Sequence, residues 1–397
     1  MAGSPTLQRI QELVKAGHLE SIAIRRHLHA RPELSFQEHA TAAYIAERLE
    51  EWGIEVRRNI AGTGVIGVVR GASTGRTLCL RADIDALPIQ EAEGPAYRSQ
   101  HAGVMHACGH DAHTAMVLAA GRALHMLRGD WKGTVLLLFQ PGEEKIPGGA
   151  SLVLKEGVLN ALAVEAIIGQ HVTPELEVGK VGFHAGPFMA SSDELYLTVK
   201  GKGGHAAAPE KLIDPIILTA RLLITLKEEF EAWRKNEPVV MGFGRVIADG
   251  ATNVVPDQVQ IAGTLRTFDE RLREELHGWL PRRAQEICAA QGGACETEVR
   301  RGYPVLVNDP ELTGRWRKAA VELLGADQVV DMPQRMGSED FAFYTQVMPG
   351  GFFRLGTGAP GKGAAPGLHT PTFNIAEESL AIGAAVMVWG SLRELAR

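Results

Sequence analysis

The stretch Thr134-Val135-Leu136-Leu137-Leu138-Phe139-Gln140-Pro141-Gly142-Glu143-Glu144 decides how the chain must be layered. From Val135 to Phe139 every residue is apolar. A strand of that kind is buried on both faces, as in a sheet packed between helices. Pro141-Gly142 ends it and leaves two adjacent carboxylates at its C-terminal end. Like charges side by side persist only near strong positive charge, which a pair of divalent cations would supply. Neighbours on an extended backbone point opposite ways, so one carboxylate can hold a metal while the other faces a substrate. A carboxylate beside metal-held water is placed to take its proton. The plain alternative is a solvated turn after a strand.

Outward from this strand, helical and extended patterns alternate, which predicts an α/β layer architecture. Residues 5–30 read as one helix, and Ser35-Phe36-Gln37-Glu38 reads as a capping box opening a second helix that runs to Trp52. Extended runs follow at 54–58, 65–70 and 77–81. Gly62-Thr63-Gly64-Val65-Ile66-Gly67 spells the dinucleotide fingerprint, but β-branched residues and Gly71 follow it instead of a helix, so it reads as a hairpin. A helix is expected over 114–127, another over 149–159, and a strand over 166–169. Near Pro187 the rhythm changes: strand 195–200, helix 214–233, strands 239–247 and 258–268, helix 270–290, and a strand from Cys295. That β-α-β-β-α-β order is the ferredoxin-like split pattern. The expectation is a two-domain chain. An α/β/α catalytic domain with a mixed sheet (1–186 and 302–397) carries an inserted ferredoxin-like α+β domain (187–301). A helix over 376–395 closes the chain.

The richest chemistry lies in Met105-His106-Ala107-Cys108-Gly109-His110-Asp111-Ala112-His113-Thr114, where a thiol, three imidazoles and a carboxylate share ten residues. Thiolate and imidazole suit zinc and its neighbours better than magnesium or calcium. A polar turn before a helix is the alternative. Four strand ends offer metal-competent groups, Asp83 with Asp85, Cys108 with His110, Glu143 with Glu144, and His171, and this is where α/β sheets place their chemistry. His369, in a late loop, is a further candidate ligand.

At 397 residues, with 45% hydrophobic and 22% charged, the chain has the composition of a soluble globular protein of about two domains. A net charge of −6 argues against a nucleic-acid surface, and no apolar stretch reaches membrane-spanning length. The start, Met1-Ala2-Gly3-Ser4-Pro5, leads directly into a helical pattern without the apolar run of a signal peptide, so a cytoplasmic location is expected. Of the cysteines, Cys79 is expected buried and reduced, while the spacing of Cys288 and Cys295 leaves a bridge open.

Six segments in order resemble the M20 metallopeptidase and amidohydrolase family: 105–114, Phe139-Gln140-Pro141-Gly142-Glu143-Glu144, Gly169-Gln170-His171, 201–209, Gly337-Ser338-Glu339-Asp340-Phe341 and 368–373. They are most similar to its aminoacylase, hippurate hydrolase and auxin-conjugate hydrolase branch. The resemblance implies two divalent metal ions per subunit, zinc first, with manganese, cobalt or nickel as alternatives. It implies Cys108, His110, Glu144, His171 and His369 as metal ligands and Glu143 as general base. It also implies a lid domain that forms a homodimer, with His205 reaching a neighbouring subunit's site to steady the oxyanion. Asn253 and Arg266 are lid positions for polar groups of the substrate.

Other branches carry a ligand histidine where this chain has Asp83-Ile84-Asp85, and Cys108 with His110 take over here. Asp83, Asp85, Asp111 and His113 are therefore expected to orient ligands instead of binding metal. His106 is expected to hydrogen-bond beside them, and His27, His29 and His39 to be structural. The expected activity is hydrolysis of the amide bond of N-acyl amino acids, with a dipeptidase or carboxypeptidase as the alternative. A metal-dependent binding protein lacks support because base and ligands are both present. A thiol redox enzyme on Cys108 lacks a resolving cysteine nearby.

Overall fold

The computed structural model describes residues 5–234, 238–359 and 366–397, so Met1 to Ser4 lie outside the described residues. The chain divides into two compact units. The larger comprises Met1–Gly186, Val307–Pro333 and Asp340–Arg397, and the smaller Pro187–Leu306 with Gln334–Glu339.

The larger unit is built on an eight-stranded mixed sheet. In spatial order its strands are Glu55–Ile60, Gly64–Arg70, Thr134–Gln140, Thr77–Asp83, Ala166–Glu177, Gly350–Gly358, Val181–Phe183 and Val329–Asp331. The four in the middle are mutually parallel, in the registers Asp83↔Gln140, Arg81↔Gly169 and His171↔Arg354. Val135 to Phe139 are fully buried, as their unbroken apolar run requires. Each such side chain stabilises the fold by roughly 1.5–3 kcal/mol. The helix His110–Met126 packs against His18–His29 and the C-terminal helix Ser379–Leu395. From Thr77–Asp83 the chain moves one place to Thr134–Gln140, then crosses back past it to Ala166–Glu177. Sites in open α/β sheets form outside the carboxyl ends of strands where the order reverses in this way.

Several local expectations change. The first helix divides at Gly17 into Pro5–Ala16 and His18–His29. The capping box does not form. The helix begins at His39 without a side-chain cap, Ser35 donates to Asp85 Oδ2 (2.7 Å), and the Glu38 carboxylate accepts from the main-chain nitrogens of Phe36 and Gly142. The 149–159 helix breaks at Gly157, whose φ of +70° no helix continues through. The Gly62 segment is a hairpin between antiparallel strands, as its sequence requires.

The smaller unit carries a four-stranded antiparallel sheet of Val239–Ile247, Gln258–Thr267, Asp193–Lys200 and Ala294–Arg301, in that spatial order. Two long helices, Pro215–Arg234 and Glu270–Ala289, complete the ferredoxin-like pattern. Gln334–Glu339 belongs to this unit although it lies outside 187–301: Ala190 N–H donates to the carbonyls of Arg335 and Gly337. All four cysteines are free, so the bridge left open by spacing is not formed.

Candidate metal centre

Strand Thr77–Asp83 delivers Asp83 and Asp85 to the carboxyl edge of the parallel core. There Gly109 turns the chain into the helix that starts at His110, four residues earlier than the sequence pattern implied. Gly109 has φ +85°, and a Cβ on it would lie 2.5 Å from Val172 Cγ2, so only glycine fits. Thr114 Oγ1 donates to the Asp83 carbonyl (3.2 Å) and docks the first turn on the strand end.

His110 Nδ1 faces the Asp85 carbonyl oxygen at 2.9 Å and Asp85 Oδ1 at 3.2 Å. With that nitrogen as the donor, Nε2 is the atom that carries the lone pair once the ring is neutral. It is buried and has no hydrogen-bond partner among the described residues. An orphaned buried acceptor with its partner nitrogen fixed is the arrangement of a ligating imidazole. His171 is held alike, Nδ1 on the Val172 carbonyl (2.7 Å), leaving Nε2 3.3 Å from Cys108 Sγ. His171 lies within its strand, not at its end as expected, but level with the end of the neighbouring Thr77–Asp83 strand.

His369 Nε2 is also 3.3 Å from Cys108 Sγ, and 3.4 Å from Glu144 Oε1. Glu144 Oε1 is in turn 3.9 Å from His110 Nε2. Donor atoms of Cys108, His110 and His171 lie within 4.8 Å of one another, as do those of Cys108, Glu144 and His369, and those of His110, Glu143 and Glu144. The five expected ligands and Glu143 therefore converge, and the thiol is common to two of the groups. Asp83, His110 and His113 meet the same distance limit. That set is already engaged: Asp83 receives His113 Nδ1 (2.6 Å) and Arg81 (2.7 Å), and His113 Nε2 accepts from Val172 N–H (3.0 Å).

Burial pushes the Cys108 thiol well above its ordinary range, and the Glu144, Glu143 and Asp83 carboxylates add to this. Burial alone would lower His110, but Asp83 and Asp85 outweigh it and hold the imidazole at about 10. Burial and the Arg354 charge keep His171 well below its usual value. A thiol and imidazoles set among carboxylates fit divalent cations, whose charge reverses this balance and favours the thiolate.

Two expectations are corrected. Asp111 orients none of these donors: Oδ2 pairs with buried Arg25 (2.8 Å) and His29 Nδ1 (2.8 Å), because the first helical turn carries it away from His110. His106 makes no hydrogen bond to a described residue, and burial lowers it to about 4. His29 and His27 are structural, the first within that buried pair, the second stacked on Tyr44 at 4.0 Å.

Within the smaller unit, His205 is exposed and pairs across a short ladder with Val254, and Ala206 N–H donates to the Asn253 carbonyl. Arg266, half-buried, donates to the Met336 carbonyl (3.0 Å). Sequence reasoning missed Ser35 and Arg81. Arg81 lies in an apolar strand, where a buried arginine was itself a signal.

The fold and this donor set define an α/β protein with the side chains for a metal centre. Residues 79–388 match peptidase family M20/M25/M40. An N-acetylcysteine deacetylase of Bacillus subtilis is 40% identical, across 93% of this chain and 95% of its own. A thermostable carboxypeptidase of Saccharolobus solfataricus is 36% identical, across 91% and 92%. The crystal structure of a dinuclear metal-binding M20 peptidase from Bacillus subtilis superposes with a TM-score of 0.84 at 38% identity, covering 96% of this chain and 99% of that one. The chain belongs to the M20 family and is an enzyme, a hydrolase.

Proposed function

We propose that the enzyme hydrolyses the amide bond of N-acyl amino acids, with Cys108, His110, Glu144, His171 and His369 holding two divalent ions, zinc first among manganese, cobalt and nickel. The observation that carries this reading is the convergence of those donors beside Glu143. Similarity to an N-acetylcysteine deacetylase supports the substrate class. Divalent ions in this site supply a water pKa lowered towards about 7 and positive charge for the acyl oxygen.

Glu143 takes a proton from water as its oxygen attacks the acyl carbon. It then gives the proton to the leaving nitrogen as the C–N bond breaks, releasing a carboxylic acid and a free amino acid. Asp85 holds His110, and Asp83 holds His113, so the donors do not reorganise during turnover. Arg266, which has no carboxylate partner among the described residues, suits the substrate carboxylate, with Asn253 for a neighbouring polar group. His205 donates to the oxyanion in a second copy of the chain. Exposed Ile216, Ile217 and Ile224 on one helix, and Val240, Val246 and Ile247 on the edge strand, favour the smaller unit as the homodimer surface. No described helix is long and apolar enough to cross a membrane; we place the enzyme in the cytoplasm.

A substrate panel tests the reading. N-acetyl and N-benzoyl amino acids are cleaved, and dipeptides with a free α-amino group are not. The reverse preference would establish the dipeptidase or carboxypeptidase alternative, which similarity to the Saccharolobus carboxypeptidase favours.

A further inference from the structure

We propose that Arg81 and Asp340 are positioning residues for the metal centre, acting through Asp83 and His113 on the strand that carries His171. The inference rests on reading Cys108, His110 and His171 as ligands.

The argument begins with a main-chain nitrogen. The parallel ladder between Thr77–Asp83 and Ala166–Glu177 ends at the pair Arg81↔Gly169. Val172, three residues further along its strand, therefore has no strand partner on that side. A buried N–H left unmet destabilises the fold. His113 meets it: its Nε2 accepts the Val172 N–H at 3.0 Å, a side chain standing in for the missing strand. This fixes the backbone beside His171, whose own Nδ1 is anchored on the Val172 carbonyl.

For Nε2 to accept, the proton of His113 must sit on Nδ1, and Asp83 Oδ1 receives it there at 2.6 Å. Asp83 is in turn held by Arg81, whose Nη1 reaches Oδ2 at 2.7 Å. The same guanidinium donates through Nη2 to Asp340 Oδ1 (2.7 Å) and through Nε to Gln140 Oε1 (2.9 Å). Asp340 Oδ2 also accepts from Gln140 Nε2 and the main-chain nitrogen of Ala150. All of these side chains are essentially inaccessible to water, so each link has little freedom to find another partner. A fully satisfied buried network of this kind is rigid, and breaking one link leaves charges buried and unpaired. Neither Arg81 nor Asp340 is among the donors that meet at Cys108, yet the relay ends on the peptide next to His171.

The experiment is a chelator competition on zinc-loaded protein, comparing wild type with Arg81→Lys, Asp340→Asn, His113→Leu and His113→Gln. Circular dichroism of the metal-free forms checks that each is folded. Arg81→Lys keeps the charge but loses the fork, and Asp340→Asn turns one acceptor into a donor. Each should weaken zinc binding by roughly 10–100-fold, the range for outer partners of metal ligands. His113→Leu should do the same. His113→Gln should restore most of the affinity, because its amide can accept from Val172 and donate to Asp83. A merely structural role would not produce that difference between leucine and glutamine. Folded Arg81→Lys and Asp340→Asn proteins with wild-type affinity would overturn the relay, as would His113→Gln binding as weakly as His113→Leu. Should His113→Leu fail to fold, the Arg81 and Asp340 variants decide the matter. A wild-type protein that takes up no zinc would instead sink the ligand assignment.

Discussion

Cys108 Sγ lies 3.3 Å from His369 Nε2, although 261 residues separate them in the chain. The thiol is also the donor shared with the His110 and His171 group. Replacing it by serine shortens the reach and removes the soft ligand. Cys108→Ser should therefore lose metal as well as activity, with fewer ions retained per subunit after dialysis. Elemental analysis retaining the wild-type metal content would count against Cys108 as a ligand.

Glu143→Gln keeps the shape of the side chain but removes the base. Turnover should fall roughly a hundred- to ten-thousand-fold while metal content is unchanged. Loss of metal together with activity would move Glu143 from proton carrier to ligand.

Metal loading should strengthen as pH rises. In the metal-free protein His110 keeps its proton up to about 10, and burial with the nearby carboxylates keeps the Cys108 thiol protonated. Cations must displace these protons, so calorimetry in buffers of different ionisation enthalpy should detect proton release. The raised His110 value also stabilises the metal-free fold in full below its ordinary 6.5, and this contribution is lost as pH climbs through about 10. Binding heats independent of buffer would refute the proton coupling.

Gly109→Ala places a methyl group against Val172 and forces a left-handed backbone on alanine. The backbone term alone costs about 1–2 kcal/mol. Thermal unfolding should shift down in both metal-free and metal-loaded protein, and an unchanged midpoint would show that the turn can relax.

Acid should weaken the smaller unit through Asp193. Burial opposes its charge, but Arg273 and His277 pair with it and hold it at about 2. Its contribution is intact above the ordinary 3.8 and is lost as pH falls through about 2. Asp193→Asn should flatten the acid limb of the unfolding curve monitored in this unit, and an unaltered limb would exclude the pair as its cause.

Strand Thr134–Gln140 could be read from its residues because a short unbroken apolar run, closed by Pro141-Gly142, is stable when covered on both faces. The placing of Glu143 and Glu144 beside Asp83 followed from where their strands end, whereas His171 lies inside its strand, and Cys108 and His110, expected at a strand end, sit in the loop and first residue that open a helix. His369 was legible only as a histidine in a loop, since nothing local says which sheet edge that loop will reach. Ser35 looked like a helix cap because capping boxes are defined locally, whereas Asp85, fifty residues away, claims its hydroxyl. Asp111 failed for the opposite reason: proximity to His110 in sequence says nothing about direction once a helix begins between them. Arg81 and Asp340 are distant in sequence, and only the packed sheet shows that they are partners.

Strand Gly350–Gly358 lies inside the sheet, between Ala166–Glu177 and Val181–Phe183, yet it is supplied by the last fifty residues of the chain. During synthesis the earlier strands must wait, with an open edge, while the whole smaller unit is translated. Contacts of such long sequence separation slow folding and prolong exposure of unpaired strands. A nascent chain stalled before residue 350 would lack an interior strand and present that edge to chaperones and to other chains.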